Sequence, residues 1–536
     1  MSEFFFRTED IKPDEVTKYF VESRQDRSTI SALKSRNPTI LVGSRGVGKS
    51  FLLRVAQSEL NENFEVDRIF PIYISFVRSS LLQSSDPMQF KNWMLARICS
   101  AIIRSLMKAG LLSKVPQIAK VLLGEDASSE ATLSNIERIA DAYEQSWKNP
   151  ALLIDPDAIP STDTLKDALE DLSNELQIDR FSLLIDEAAH IFVPEQQREF
   201  FTLFRDLRSH CITCNAAVYP GVTSFGETFQ PAHDATMISL DRDVLAPTYI
   251  ESMREIVERQ ADSAVSKKIL QNGKNFAVLA YAASGNPRLL LKTISAAPTV
   301  NSAEVNEVIR TYYRTEIWAE HSSLAEKYPG HRAVIDWGRQ FLESIVLPEI
   351  KSKNDQYLAT DKTTSAYFWI HRDAPETVKE ALRVLSYTGV VSEQGSGIKA
   401  TRAEIGTRYI VNLGCLFALE SFPASTAFDI AKGLGPKRMT ELGSNHSSYK
   451  PLIDDGLSAT KEPRVSALSV QLGKSIDVLD LSDWQKGKLT ELGLKTVGEV
   501  LDATEEKLKE ALYVGDVRAR RMRNAAIAAV LEYLSG

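Results

Sequence analysis

The sequence is short of cysteine, of long apolar runs and of positive charge, and each shortage removes a class of function. Four cysteines in 536 residues do not make a disulfide framework. Cys211 and Cys214 form one CxxC beside His210, with no second pair anywhere in the chain, whereas a structural zinc site takes four ligands, usually from two such pairs. The apolar setting Cys-Ile-Thr-Cys-Asn-Ala-Ala-Val reads as a buried strand, and metal or redox chemistry is not expected there. The longest apolar stretches, such as Ala525–Leu531, fall far short of the ~20 residues that span a membrane, so no membrane association is expected. Met1-Ser2-Glu3-Phe4-Phe5-Phe6-Arg7 lacks the basic-then-apolar order of a signal peptide, and a cytoplasmic location is the expectation. The net charge is -8. A protein whose whole surface grips nucleic acid is usually basic, so any DNA contact has to be local. What remains is ordinary globular composition, 43% hydrophobic and 25% charged, with length enough for roughly three or four domains.

One segment carries chemistry on its face. Thr39-Ile40-Leu41-Val42 is a short β-rich apolar run. Gly43-Ser44-Arg45-Gly46-Val47-Gly48-Lys49-Ser50 follows at once, and Phe51-Leu52-Leu53-Arg54-Val55-Ala56 opens a helical pattern. This is GxxxxGKS in the strand–loop–helix setting that a P-loop requires. The glycines let the backbone curl so that its N–H groups face phosphates, and the helix N-terminus adds partial positive charge. Lys49 can reach the β- and γ-phosphates and the Ser50 hydroxyl can ligate Mg²⁺. The nucleotide contacts expected are therefore Gly43, Ser44, Arg45, Gly46, Val47, Gly48, Lys49, Ser50 and Phe51, and the cofactors ATP and Mg²⁺.

A P-loop also needs an acidic residue on a neighbouring strand. Two segments offer one: Ala151-Leu152-Leu153-Ile154-Asp155, followed by Pro156, and Phe181-Ser182-Leu183-Leu184-Ile185-Asp186-Glu187. The second has the adjacent acid and is preferred, Asp186 orienting Mg²⁺ and Glu187 polarising the attacking water. The next strand, Thr213–Tyr219, follows an amphipathic helix at 195–208 and offers Tyr219 or Asn215 as a polar group near the γ-phosphate. Further on, Ala283-Ser284-Gly285-Asn286-Pro287-Arg288 opens a helix, with Asn286 as N-cap, Pro287 in the first turn and Arg288 where a helix start can face a ligand.

Taken together, Val42–Ser50, Leu184–Glu187 and Ser284–Arg288 resemble an AAA+ ATPase of the initiator-like group, the origin-recognition-type ATPases and their bacterial relatives. The resemblance covers about residues 28–300. It implies that Arg288 is the sensor 2 arginine, contacting the γ-phosphate from a helical lid, so that Lys49, Glu187 and Arg288 would be the catalytic set. Two features depart from the pattern. The gap from Lys49 to Asp186 is long, and no arginine lies between Tyr219 and Asp241 to serve as a finger; Arg205, Arg208 or Arg242 would have to substitute, or the chain would be a switch of the STAND class, which uses none.

The implied architecture is a multidomain α/β P-loop AAA+ core over 1–245 with a helical insertion near 80–160, a helical lid over 246–320, a domain similar to a winged helix over 321–422, a linker over 423–474, and a small all-α domain over 475–536. In the third, an amphipathic helix at 331–346 and a second at about 375–387 precede Val390-Val391, Gly395-Ser396-Gly397 and Arg408-Tyr409-Ile410-Val411, which read as a two-stranded wing. Its cations Lys399, Arg402 and Arg408 are candidates for DNA phosphate. The last segment resembles the helix-hairpin-helix pair in the C-terminal domain of the α chain of bacterial RNA polymerase. That likeness implies DNA contact through Gly515, Arg518, Arg520, Arg521 and Arg523, although Tyr513 stands where the first hairpin glycine is usual. The reading that follows is a DNA-associated switch ATPase; the resemblance further implies service in bacterial defence or mobile elements beside a separate effector or partner protein, with a homo-oligomer left open. A nucleotide-dependent scaffold with little hydrolysis, or a transcription regulator, are the alternatives; salt-dependent DNA binding separates the scaffold from the others, and promoter preference marks the regulator.

Overall fold

The computed structural model describes residues 4–77, 87–113, 122, 135–144, 158–188, 194–327, 331–360, 362–401, 403–451 and 472–534. Five short apolar runs make one all-parallel sheet: β1 (Thr39–Val42), β2 (Ile69–Ser75), β3 (Arg180–Asp186), β4 (Ile212–Val218) and β5 (Thr236–Ser239), in the order β2-β3-β4-β1-β5. Parallel pairing demands crossovers that place helices on the sheet faces, which is why β3 and β4 are buried along their whole length. The chain leaves β1 through the helix Lys49–Glu62 and passes beyond β4 and β3 to reach β2. The loop after β1 therefore opens at a switch point of strand order, where open α/β sheets bind ligands.

The helix Pro87–Lys108, expected as an insertion, is integral to this layer. Phe90, Trp93, Met94, Ile98 and Ile102 are buried in one core with β2, β3, β4 and the helix Pro194–Asp206. Trp93 Nε1 donates to Glu144 Oε1 of the helix Asn135–Glu144 at 3.3 Å. The rejected segment Ala151–Asp155 lies outside the described residues.

Five helices follow β5, Tyr249–Glu258, Ser263–Gln271, Gly273–Ala282, Pro287–Ala296 and Ser302–Thr311. They do not form a separate lid core. One continuous apolar cluster runs from Val244 to Tyr449, joining them to the helices Arg332–Phe341, Leu347–Ala359 and Glu376–Tyr387 and to a second sheet. That sheet is β6 (Tyr367–His371), β7 (Val391–Lys399), β8 (Ile405–Val411) and β9 (Thr440–Leu442), in the order β7-β8-β6-β9.

Two expectations are corrected here. Residues 423–451 are folded rather than linker: the helix Pro423–Lys432 buries Ala424, Ala427, Ile430 and Ala431 in the common core, and β9 pairs in parallel with β6. Its buried face is mostly alanine, so helix Gly273–Ala282 can pack closely against it with little hydrophobic signature in the sequence. Second, Gly395-Ser396-Gly397 is not the turn of the hairpin but lies within β7, where the register against β8 slips; beyond the end of β7 the Ala400 N–H donates to the Glu404 carbonyl at 2.9 Å, where the two strands come together again.

The last module has its own core. Ser482 and Gln485 form a capping box at the start of the helix Asp483–Glu491, and Thr496 and Glu499 form another at Val497–Asp502, each satisfying two otherwise orphaned backbone donors. Glu505–Lys509 and the long helix Asp516–Leu534 complete it. No helix among the described residues is long and apolar enough to cross a membrane.

Candidate nucleotide site

The loop after β1 curls because two of its glycines hold positive φ, 88° at Gly46 and 105° at Gly48, a region that side chains resist. The helix then begins at Lys49, with its first N–H groups free of intrahelical partners. Residues Arg45 to Phe51 line a cavity of about 240 Å³ together with Asp186, Glu187, Tyr219, Arg242 and Arg288. Gly43 and Ser44 stand behind it and reach it through their carbonyls, which accept from Lys49 Nζ at 2.5 and 3.0 Å. The ammonium also lies 3.9 Å from the centroid of the Tyr219 ring. Burial lowers its pKa to about 7, aided by the charges of Arg288 and Arg45 and opposed by Asp186 and Glu187. A phosphate would restore the charge.

Asp186 ends β3 and is buried. Tyr73 on the adjacent β2 donates its hydroxyl to Oδ2 at 2.5 Å, and the Glu187 N–H donates to Oδ1 at 3.0 Å. Glu187 sits just past the strand in a left-handed conformation, φ 56°, a strain of the kind found at functional sites. Its Oε2 is buried without a hydrogen-bond partner. Burial, then the charges of Asp186 and Glu9, raises the Glu187 carboxyl to about 8. An orphaned carboxylate oxygen among three mutually repelling acids is a setting that a cation would relieve, and the donor set, with the Ser50 hydroxyl, suits an oxygen-loving ion such as Mg²⁺.

The second wall comes from the helix Pro287–Ala296. Asn286 caps it, its Oδ1 accepting from the Leu289 N–H at 3.3 Å, while its Nδ2 donates to the Arg45 carbonyl at 2.7 Å. The Arg288 N–H reaches the Gly46 carbonyl at 3.4 Å. The expected helix start thus clasps the loop itself. Arg288 Nε donates to the Phe6 carbonyl at 2.8 Å, and burial lowers the guanidinium pKa. Arg242 donates to the Val47 carbonyl at 3.2 Å and pairs with Asp26 at 3.1 Å.

Of the two residues considered for the sensor strand, Tyr219 lines the cavity. Asn215 does not: it is fully buried, accepts from the Thr39 N–H at 3.0 Å and donates to the Leu33 carbonyl at 3.1 Å, tying β4 to β1. Arg205 is occupied with Asp206 and the Thr228 carbonyl. Cys211 and Cys214 are buried, and burial pushes the Cys214 thiol up to about 12.

The candidate DNA residues are dispersed. Lys399 is exposed at the end of β7, and Arg402 lies outside the described residues. Gly515 and Arg518 are exposed, Arg518 lying 4.9 Å from the Trp484 ring centroid and donating to the Tyr513 carbonyl at 2.8 Å. Tyr513 adopts the left-handed φ of 67° that a hairpin glycine would take. Arg520 lies 3.9 Å from Glu505, Arg523 Nε is buried, and Arg521 turns inward to the N-terminal segment.

That segment was missed. Phe5 to Glu9 and Ile11 line the cavity, as do Tyr19, Phe20, Asn524 and Ile527. The aromatic run Phe4-Phe5-Phe6 and the apolar face of the last helix were the available signals, but nothing in the spacing ties the two ends of the chain to the loop.

Among solved structures, similar ones include the Walker-type ATPase of Pyrococcus abyssi, at 15% identity and a TM-score of 0.42, with 80% of this chain and 97% of that one covered. The Aeropyrum pernix ORC2 protein, solved as ADPNP–ADP complexes, matches at 11% identity and 0.35, covering 76% and 93%. The Aeropyrum pernix ORC1 protein in complex with DNA matches at 12% and 0.30, covering 78% and 93%. No curated protein matches the chain. The family model described as ORC-CDC6-like matches residues 4–383, well over half of the sequence and all of the loop, acidic pair and Asn286–Arg288 helix start described above, and the chain belongs to the ORC-CDC6-like family.

Proposed function

We propose that this protein binds ATP·Mg²⁺ in the cavity above Lys49, hydrolyses it, and uses the change of state to govern contact with DNA. The observation that carries the reading is the convergence of Lys49, Asp186, Glu187 and Arg288 from separate stretches of chain on one cavity at the mouth of a glycine loop. In this reading Lys49 and the loop N–H groups hold the phosphates. Ser50 and Asp186 would hold Mg²⁺, which when bound would supply positive charge against the phosphates. Glu187, once ionised, takes the proton of the attacking water, and Arg288 meets the γ-phosphate from the lid. The products are ADP and phosphate.

DNA association is supported by family membership and by the layout of 321–422. There the helix Glu376–Tyr387 leads into the antiparallel β7–β8 hairpin, with Lys399 exposed at the hairpin end. A winged helix would use that order of elements, and the C-terminal module, with Gly515 and Arg518 exposed, would add a helix-hairpin-helix contact to phosphate. A separate effector or partner protein would receive the signal. One observation favours the second reading, a nucleotide-dependent scaffold with little hydrolysis: Arg242 and Arg205 are both held within the chain, so neither is poised as a finger toward a neighbouring copy.

Lys49→Ala tests the core of the proposal. Removing the phosphate-bridging cation should abolish tight ATP binding measured by isothermal titration; unchanged affinity would remove the P-loop assignment.

A further inference from the structure

The two ends of the chain meet at the nucleotide cavity. Arg521, in the last helix, donates from Nη2 to the Phe4 carbonyl at 2.6 Å and stands 3.8 Å from Asp10 Oδ2 through Nε. Its guanidinium carbon lies 5.8 Å from the Phe6 ring centroid. Asn524, one turn further along, donates to Asp10 Oδ1 at 3.2 Å. Asp10 is 2% exposed and the Arg521 side chain 15%. A carboxylate that deeply placed needs its counter-charge, because leaving it alone would bury an unpaired ion. Between the two anchored residues, Phe4 and Asp10, sits Phe6, whose carbonyl accepts from Arg288 Nε.

We infer that the C-terminal helix is part of the nucleotide site, with Arg521 and Asn524 as positioning residues that act on Arg288 through the N-terminal segment Phe4–Asp10. The inference rests on the ATP-binding reading above. The Phe6 carbonyl engages Arg288 through Nε and leaves its terminal nitrogens for a ligand. Arg521 and Asn524 hold the segment on either side of Phe6, at Phe4 and at Asp10. A hydrogen bond through Nε at 2.8 Å restricts how the guanidinium can turn, and a bidentate contact to phosphate depends on its orientation. Docking of the C-terminal module therefore adds to the orientation of Arg288, beside the Phe5 N–H to Gln260 Oε1 bond of 2.8 Å that also holds the segment. Asn524 and Ile527 also line the cavity. The same contact sets a limit on the module as a DNA reader: docked, it has Arg521 turned away from any phosphate backbone.

The test separates positioning from mere support of the fold. Affinities of the full-length protein for ATP and ADP, each with Mg²⁺, are measured by isothermal titration for wild type, Arg521→Ala, Arg521→Lys, Arg288→Ala and the double variant Arg521→Ala/Arg288→Ala. Only ATP offers the γ-phosphate that Arg288 meets. Arg521→Ala should weaken ATP about tenfold, the scale of one charge-assisted contact, while ADP changes little. Arg521→Lys, which keeps the charge opposite Asp10, should recover part of the loss. In the double variant the two losses should not multiply, since they act through one group. Equal weakening of ATP and ADP, or losses that multiply, would overturn the inference while leaving the ATP-binding reading intact. Should Arg521→Ala fail to fold, Arg521→Lys and Asn524→Ala carry the same comparison, and a wild-type ATP-to-ADP ratio in both would overturn it. Wild type binding neither nucleotide would remove the ATP-binding reading itself, and the inference with it.

Discussion

Gly46 is where the start of the helix Pro287–Ala296 touches the loop, and replacing it with alanine tests that contact quantitatively. A Cβ built there meets Asn286 Oδ1 at 2.7 Å, Arg288 Cβ at 2.8 Å and Asn286 Nδ2 at 3.2 Å. The first two are closer than real contacts allow, so the start of the helix Pro287–Ala296 must retreat. Retreat breaks the Asn286-to-Arg45 hydrogen bond of 2.7 Å and the Arg288-to-Gly46 bond of 3.4 Å, each worth about 1 kcal/mol. The φ of 88° adds strain of about 1–2 kcal/mol for a residue with a side chain. The total is about 3–4 kcal/mol against the clasped arrangement. Because Arg288 moves with the helix, ATP affinity should fall by roughly 10- to 100-fold, the range of a lost charge-assisted contact. Gly110→Ala is the reference: its φ is 71°, yet nothing lies within 4 Å of its Cβ, so it carries backbone strain alone and should leave ATP affinity at the wild-type value. Titration calorimetry on both variants decides the matter. Wild-type affinity in Gly46→Ala would refute the claim that this helix start rests on the loop.

Two further outcomes concern stability. Asn215→Leu leaves the Thr39 N–H and the Leu33 carbonyl without their partners, at about 1–3 kcal/mol for each buried group left unsatisfied; a fall in the denaturant midpoint is expected, with nucleotide affinity unchanged in the folded fraction, and a loss of affinity would restore Asn215 as a sensor. His321 is fully buried, contacting Thr388 Oγ1 and the Ile335 carbonyl, each at 3.2 Å, and burial lowers its pKa from 6.5 to about 4. The folded state therefore prefers the neutral ring: its contribution is complete above pH 6.5 and is lost as pH falls through 6.5 toward 4. Between about pH 7 and 5 the loss is about 2 kcal/mol, read as a drop in urea midpoint that His321→Gln should diminish; an identical drop in that variant would mean other groups govern the acid limb.

The sequence was most legible where local structure is written in neighbouring residues. The glycine loop, the Asp186-Glu187 pair and the Asn286-Pro287-Arg288 helix start each carry their signal within a few positions, because a phosphate cradle, a strand end and a helix cap are local structures. Less legible was anything decided by packing at a distance. The helix Pro423–Lys432 is held by buried alanines that offer weak periodicity, and Gly395 and Gly397 suggested a turn although they sit inside a bulged strand. Phe4 and Arg521 meet although they stand 517 positions apart in sequence, and the arginine's cationic sequence context pointed to solvent phosphate rather than to a buried aspartate. Strand β4 lies between these cases: its existence was plain, but placing Tyr219 rather than Asn215 at the cavity required knowing which end of β4 faces the loop.

The most direct test of the central claim is steady-state ATP hydrolysis by wild type and Glu187→Gln, each with and without duplex DNA. Turnover stimulated by DNA is expected in wild type. Its loss is expected in the variant with ATP still bound, since the amide introduced by Glu187→Gln keeps the shape of the site but cannot accept a proton. Wild-type turnover that is absent under all conditions while ATP remains bound, or turnover that survives Glu187→Gln, would contradict the claim.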